Sequence, residues 1–201
     1  TDDQRRAIVA QEVEAAGGES RLLIGEADAP ATVVEYLDYK CPSCNNFHRT
    51  TSKEIETAFV DDGTANIDLR ITPVIGPDSG RAGRGAYCAN EQGVFAGYHN
   101  AVLNHMWDNY YSSGDFAVES QDYLTTSRLQ EIMSSADVIF DNEAFATCTD
   151  SDKYNPLLDE NLLLAADDNI QGTPGFAVGE QSFVGGQPFS VFEQLIEIEL
   201  R

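Results

Sequence analysis

Positive charge is scarce in this sequence. Over 201 residues, 12 Lys and Arg side chains stand against 34 Asp and Glu, which gives a net charge of −22. Only three of the basic residues are lysines: Lys40, Lys53 and Lys153. Nucleic acids and anionic membrane surfaces repel such a chain, so neither is an expected partner. The acidic surplus predicts solubility, with attraction of basic polypeptides as the alternative.

Long apolar segments are also missing. No run approaches the ~20 residues of a membrane span. The first six residues, Thr1 to Arg6, are not followed by the hydrophobic core of a signal peptide, although a leader or anchor preceding residue 1 stays open. There is no internal repeat, no low-complexity tract and no Ser–His–acid motif. The length and the 42% hydrophobic content predict one or two globular domains with a substantial core.

Cysteine is infrequent, with four residues at 41, 44, 88 and 148. An even number permits two disulfides and suits an oxidising compartment. Only the first two form a Cys-x-x-Cys pair. Because no second pair completes four ligands, a structural zinc site is disfavoured.

The Cys-x-x-Cys pair lies where a predicted strand over 32–37 leads into a predicted helix that ends at Gly63. Pro42 suits the first helical position, where a missing N–H has no cost. Cys41 is therefore expected at the helix N-terminus, where free N–H groups and the helix dipole favour a thiolate. Cys44, one turn later, can reach the same sulfur. The pattern predicts a redox pair.

Two alternatives to a redox pair remain at this point. His48 falls on the same helical face as Cys41 and Cys44, so a Cys-Cys-His metal site is conceivable, but no fourth ligand is evident. The other alternative is a pair of inert thiols. We expect neither a metal nor another cofactor.

The remaining pattern orders the elements as β-α-β, a helical block, and β-β-α. We predict a first helix over 1–17 with a thin apolar stripe of Ile8, Val9 and Val13, ending at Gly17 and Gly18, then an edge strand or turn at 21–25 and a strand at 67–71. The helical block contains one long amphipathic pattern from Ala82 to Met106, then helices near 124–133, 141–148 (N-cap Asp141) and 156–166. A hairpin over 175–184 precedes a last helix, which starts at Ser190 with a capping box to Glu193.

Three motifs in this order resemble a known family. They are the stretch from Glu35 to Cys44 (EYLDYKCPSC), the stretch from Tyr87 to Gly93 (YCANEQG) and the stretch from Gly172 to Phe176 (GTPGF). Together they resemble the DsbA-like thiol–disulfide oxidoreductases of bacterial and archaeal cell envelopes. The resemblance implies an α/β thioredoxin-like fold with an inserted α-helical domain. Its expected parts are an N-terminal helix or linker at 1–19, a thioredoxin-like domain at 20–78 and 170–201, and the inserted domain at 79–169.

The resemblance also implies roles for individual residues. Cys41 would be the exposed nucleophile and Cys44 the buried resolving cysteine. Pro174 matches the family's cis-proline, and Thr173 would present backbone groups to an extended client peptide. Glu35 matches the family's buried acid, a possible proton relay to Cys44. Without the resemblance, a trans turn proline and a strand-end Glu reaching solvent would be the simpler interpretations.

The dipeptide between the cysteines bears on the direction of exchange. Strong oxidases of the family carry Pro-His, whereas this chain has Pro42-Ser43, and a Ser hydroxyl brings no positive charge. Lys40 would stabilise a Cys41 thiolate and Asp38 would oppose it. We expect an oxidase of intermediate to strong poise. A reductase or isomerase, a peptide-binding chaperone-like module and a zinc-binding module are the alternatives.

Cys88 and Cys148 fall on separate helices of the predicted helical block. We predict a structural disulfide between them, with two buried free thiols as the alternative.

Aromatic residues cluster after the first helices of the block, at Trp107, Tyr110 and Tyr111. We expect them to serve core and domain-interface packing rather than a ligand site. His99 and His105 are six residues apart, a poor spacing for two metal ligands on one helix.

The resemblance finally implies partners and a compartment. The expected partners are reduced or unfolded client proteins and a membrane reoxidase of the DsbB or VKOR type. The expected location is extracytoplasmic, and the expected state is a monomer.

Overall fold

The computed structural model describes residues 2–16 and 21–201. The predicted helix end at Gly17 and Gly18, and the expected boundary at residue 20, lie outside these residues. In the described part the strands are β1 Leu22–Ile24, β2 Ala31–Leu37, β3 Ala65–Ile71, β4 Gly175–Val178 and β5 Gln181–Val184. The helices are α1 Asp2–Ala16, α2 Pro42–Arg49, α3 Thr51–Ile55, α4 Ser79–Glu91, α5 Phe95–Asn109, α6 Thr126–Ser135, α7 Asn142–Thr149, α8 Asn155–Asp167 and α9 Phe189–Glu199.

The strands form one mixed sheet in the order β1-β3-β2-β4-β5. The central strands β2 and β3 run parallel, and β1 and the β4–β5 hairpin add antiparallel neighbours on either side. The parallel pair is buried, as its β-branched and aliphatic composition predicts. The fold is the thioredoxin-like α/β fold expected from the sequence, with helices inserted between β3 and β4.

Helices cover both faces of the sheet. On one face α9 packs against β2 and β4, and Phe47 of α2 lies 4.6 Å from Phe176 of β4 and 5.4 Å from Phe192 of α9, between ring centroids. On the other face α8 packs against β3 and α1 packs against α8. This layering places the N-terminus of α2 at the end of the central strand β2. That end of the sheet carries the two neighbouring cysteines.

Two predicted helices are interrupted in the structure. The long pattern from Ala82 to Met106 is split into α4 and α5 by Gly93. The φ of Gly93 is +70°, in the left-handed region that favours glycine. The helix after the cysteines breaks at Thr50, where the hydroxyl donates to Asn46 O at 2.7 Å and the backbone leaves helical geometry. The apolar periodicity continues across both breaks and therefore did not predict them. It reflects which side chains are buried, not where the backbone changes conformation.

Of the two predicted helix caps, the structure confirms one and contradicts the other. Asp141 caps α7 as predicted, accepting from the N–H groups of Glu143 and Ala144. The capping box at Ser190 is wrong, since α9 begins at Phe189 after Pro188 and has no side-chain cap. The stripe of α1 is also narrower than predicted. Val9 and Val13 are buried there, whereas Ile8 is 56% exposed.

Candidate active site

Cys41 is the N-cap residue of α2. Its backbone is extended, and its Sγ accepts a hydrogen bond from the Cys44 N–H at 3.4 Å. Hydrogen bonding from the Cys44 thiol, helped by the N–H groups of Cys44 and Ser43 and opposed by burial, lowers the pKa of Cys41 to about 7. A thiol with this pKa is substantially ionised at neutral pH. The helix N-terminus predicted from Pro42 thus has the expected chemical consequence.

Cys44 has the opposite character. It is 1% exposed, and both cysteines are free thiols. Burial raises the pKa of Cys44 well above its ordinary value, and the negative charges of Cys41 and Glu35 add to that effect. One sulfur of the pair therefore ionises readily while the other holds its proton.

The expectation that Cys41 is exposed is wrong. The residue is 4% exposed, because the loop at Thr173 and Pro174 lies against it. The Cys41 thiol donates to the Thr173 carbonyl at 3.2 Å. The Thr173–Pro174 peptide bond is cis, and Pro174 itself is buried. The loop that the resemblance assigns to client binding is thus in direct contact with the first sulfur.

Glu35 is buried in the middle of β2, opposite Leu69 of β3 and Phe176 of β4. It is 4% exposed and does not reach solvent at a strand end. Burial, with smaller contributions from the negative charges of Cys41 and Glu56, raises the pKa of Glu35 to about 8. The carboxyl group is therefore protonated at neutral pH and lies within electrostatic reach of both sulfurs.

Two residues before the cysteines do not act as the sequence suggested. The Lys40 ammonium is not directed at Cys41 but pairs with Asp78 at 2.6 Å, and both side chains are completely buried. The Asp38 carboxylate accepts N–H hydrogen bonds from Lys40, Val74 and Ile75. Neither charge is among the main causes of the Cys41 pKa shift. The thiolate is stabilised by hydrogen bonds rather than by a neighbouring cation.

His48, the third member of the conceivable metal site, lies in the interface between α2 and α5. Its ring meets that of His99 edge-on, with centroids 4.9 Å apart. Burial lowers the pKa of His48 to about 4, so the ring is neutral at ordinary pH. Within residues 2–16 and 21–201, no group of three or more His, Cys, Asp or Glu side chains is arranged to hold a metal ion.

Cys88 and Cys148 form a disulfide that joins α4 to α7. Cys88 is 1% exposed in the interior, whereas Cys148 is partly accessible at the surface. The bond lies within the helices between β3 and β4.

A cleft of about 550 Å³ opens beside the N-terminus of α2. Its lining includes Pro42 and Ser43 between the cysteines, Trp107 of α5, Phe116 in the turn after α5, and Gln187 before α9. Phe116 is 53% exposed there. Sequence reasoning missed Phe116 and Gln187, and it assigned Trp107 only to packing. No local signal could have found them, because the cleft walls are distant in the chain.

In the described residues, no helix combines the length and the hydropathy needed to span a bilayer.

Comparison with known proteins agrees with this geometry. Residues 18–198 match the thioredoxin family model. The chain is 27% identical over 193 residues to disulfide bond formation protein D of Bacillus subtilis (strain 168), covering 89% of this chain and 77% of that protein. The crystal structure of oxidised BdbD from Bacillus subtilis superposes with a TM-score of 0.76 at 23% identity, covering 90% of this chain and 93% of that one. Chlamydia trachomatis DsbA superposes with a TM-score of 0.72 at 18% identity, covering 88% and 89%. The chain therefore belongs to the thioredoxin family, among its DsbA-like thiol–disulfide oxidoreductases.

Proposed function

We propose that this protein oxidises pairs of cysteine thiols in reduced client proteins outside the cytoplasm, using a Cys41–Cys44 disulfide. The observation that carries the proposal is the contrast between the two sulfurs. Cys41, at a helix N-cap, has a pKa lowered to about 7, and the neighbouring Cys44 has a pKa raised well above its ordinary value. Such a contrast makes Cys41 the better leaving group and stabilises the reduced form of the pair.

The exchange proceeds in two displacements. A client thiolate attacks Cys41 Sγ, forms a mixed disulfide and breaks the Cys41–Cys44 bond, which leaves the electron pair on Cys44. A second client thiolate then attacks the client sulfur of the mixed disulfide, and Cys41 leaves as a thiolate. The client gains a disulfide and loses two electrons, which the Cys41–Cys44 pair accepts.

Glu35 supplies the proton that the first displacement requires. Cys44 departs into a buried environment where its thiolate is unfavourable. The Glu35 carboxyl is protonated at neutral pH and electrostatically coupled to Cys44. Proton transfer from Glu35 to Cys44 neutralises the leaving thiolate, and the reverse transfer deprotonates Cys44 when the disulfide is restored.

Clients bind across Thr173 and along the cleft. The Thr173 backbone, in contact with Cys41, pairs with an extended client segment regardless of its sequence. The cleft beside Pro42 and Ser43 accepts apolar client side chains against Trp107 and Phe116. Backbone pairing and an apolar wall suit unfolded chains, which expose both kinds of group.

Repeated turnover requires an oxidant for the reduced pair. The protein from Bacillus subtilis to which this chain is similar is named for disulfide bond formation. We assign the reoxidation to a membrane partner of the DsbB or VKOR type, which accepts the two electrons from Cys41 and Cys44. Such a partner places the reaction in the cell envelope or at its outer surface.

Oxidation of a reduced, unfolded model protein by the disulfide form tests the function. Cys41→Ser should abolish it, because Cys44 alone cannot form the disulfide that the client thiolate attacks. The matched variant Cys44→Ser has no disulfide to donate; its Cys41 thiolate should instead attack a disulfide of an oxidised model protein, release one protein thiolate and remain in a covalent mixed disulfide, visible on a non-reducing gel. Oxidation that survives Cys41→Ser would show the assignment to be wrong. A reduction potential near that of thioredoxin, measured against glutathione, would favour a reductase.

A further inference from the structure

The backbone carbonyls of Tyr39, Lys40 and Cys41 each accept a hydrogen bond from a side chain. The Asn45 amide donates to Tyr39 O at 3.0 Å and to Cys41 O at 2.8 Å. The Tyr111 hydroxyl donates to Lys40 O at 2.7 Å. Asn45 belongs to α2 itself, whereas Tyr111 follows α5 in the inserted helical segment. The carbonyl of Lys40 is therefore held from outside the sheet and outside α2.

The Lys40 side chain extends into the same helical segment. Its ammonium pairs with Asp78 Oδ1 at 2.6 Å and also donates to Gln121 O. The other oxygen of Asp78 accepts from the N–H groups of Tyr123 and Leu124. Every partner of this buried ion pair is thus a residue of the inserted segment or of the turn that leads into it.

The Lys40 side chain passes directly beside the backbone of Gly76, where only a glycine leaves room for it. A Cβ on Gly76 would lie 2.9 Å from both Cδ and Nζ of Lys40 and 2.5 Å from the carbonyl of Glu119. Any side chain at position 76 would therefore collide with the Lys40 stem. Burying a charge pair brings little net stability compared with apolar packing. A role in geometry accounts better for a lysine in this position.

Residue 40 is consequently fixed by both its carbonyl and its ammonium, and Cys41 is the next residue. The Cys41 N–H bonds to Asp38 O at 3.0 Å, which holds the junction from the strand side. We propose that Lys40 and Tyr111 are positioning residues through which the inserted helical segment holds Cys41 Sγ against the N–H groups at the start of α2. The proposal rests on Cys41 as the nucleophile of the proposed function.

Tyr111→Phe is the sharpest test, because it removes one hydroxyl and keeps the ring that lines the cleft. Tyr98→Phe is the matched control, since Tyr98 also donates its buried hydroxyl to a backbone carbonyl, that of Ala82 at 2.6 Å. The measurement is the ultraviolet thiolate absorbance of the reduced proteins as a function of pH. We expect Tyr111→Phe to raise the Cys41 midpoint by about half a unit, which is about threefold less thiolate at about pH 6. Tyr98→Phe should lower the denaturation midpoint and leave the thiolate midpoint unchanged.

The ion pair is tested by the double variant Lys40→Met with Asp78→Asn, which removes both charges while keeping an acceptor for Tyr123 and Leu124. It should shift the thiolate midpoint upward like Tyr111→Phe. Wild-type midpoints in both folded variants, or an equal shift in Tyr98→Phe, would overturn the positioning role. If the thiolate midpoint shifts as expected but the wild-type disulfide fails to oxidise clients, the positioning role stands and the proposed function falls.

Discussion

Replacing Glu35 by Gln should stabilise the reduced protein increasingly as the pH rises. The side chain is 4% exposed in the centre of β2, so almost no solvent screens the cost of ionising it. That cost raises the pKa of Glu35 from 4.5 to about 8. Between these two values the folded protein binds more protons than the unfolded chain, and the free energy of unfolding therefore falls as the pH increases. An amide of the same shape has no such titration.

The size of the effect follows from the shift. A change from 4.5 to about 8 is about 3.5 units, and each unit corresponds to about 1.4 kcal/mol. The full loss, reached above about pH 8, is roughly 5 kcal/mol. Between about pH 4 and about pH 7, the free energy of unfolding of Glu35→Gln should gain roughly 3 kcal/mol relative to wild type. Cysteine ionisation occurs in both proteins and cancels in this difference to first order.

Urea unfolding of the reduced proteins across this pH range measures the difference directly. Glu54→Gln, an exposed carboxylate on α3, is the matched control and should follow the wild-type curve. The same Glu35→Gln protein should oxidise clients about a hundredfold more slowly or worse, because Cys44 loses its proton donor. Parallel unfolding curves for wild type and Glu35→Gln would refute the argument that burial keeps this carboxyl protonated.

Three further outcomes follow from the site and its surroundings. Replacing Cys88 and Cys148 together by Ala should lower the free energy of unfolding by about 4 kcal/mol, because the bond closes a loop across 60 residues. A loss below ~1 kcal/mol in chemical denaturation would contradict this estimate. The alkylation rate of the reduced protein should titrate with a midpoint of about 7, the pKa of Cys41, and a midpoint at the ordinary thiol value would contradict it. Phe116→Ser should raise KM for an unfolded client several-fold with little change in kcat, and a fall in kcat alone would exclude Phe116 from client binding.

The sequence predicts those parts of the site that depend on neighbouring residues. Three local features are sufficient to place Cys41 at an N-cap. They are the buried strand before it, Pro42 at the first helical position, and Cys44 one helical turn later. The Asp141 cap was predictable for the same reason. In both cases the side chain and the backbone groups that it meets lie within three residues of each other.

Other parts depend on residues that only the fold brings together. Lys40 is adjacent to Cys41 in the chain, so its charge suggested a stabilised thiolate. The Lys40 side chain is instead directed toward Asp78, which is 38 residues away in the chain, and Gln121, which is 81 residues away. The exposure of Cys41 was mispredicted for a similar reason, because the loop that covers it is 132 residues away. Periodicity and motif spacing carry no information on such contacts.

The redirection of Lys40 bears on the direction of disulfide exchange. With no cation beside it, Cys41 reaches a pKa of about 7, whereas the strong oxidase DsbA has a value of about 3.5. At neutral pH that difference is about 3 units of thiolate stabilisation, or about 4 kcal/mol and about 100 mV for a two-electron couple. Thioredoxin, at about −270 mV against about −120 mV for DsbA, also has a thiol pKa of about 7, so the pKa of Cys41 alone does not place this pair above thioredoxin. A pair whose thiolate is no more stabilised than this oxidises clients as long as its partner returns it to the disulfide form faster than reductants open it. Rapid reoxidation, rather than an extreme potential, would then determine the direction of exchange.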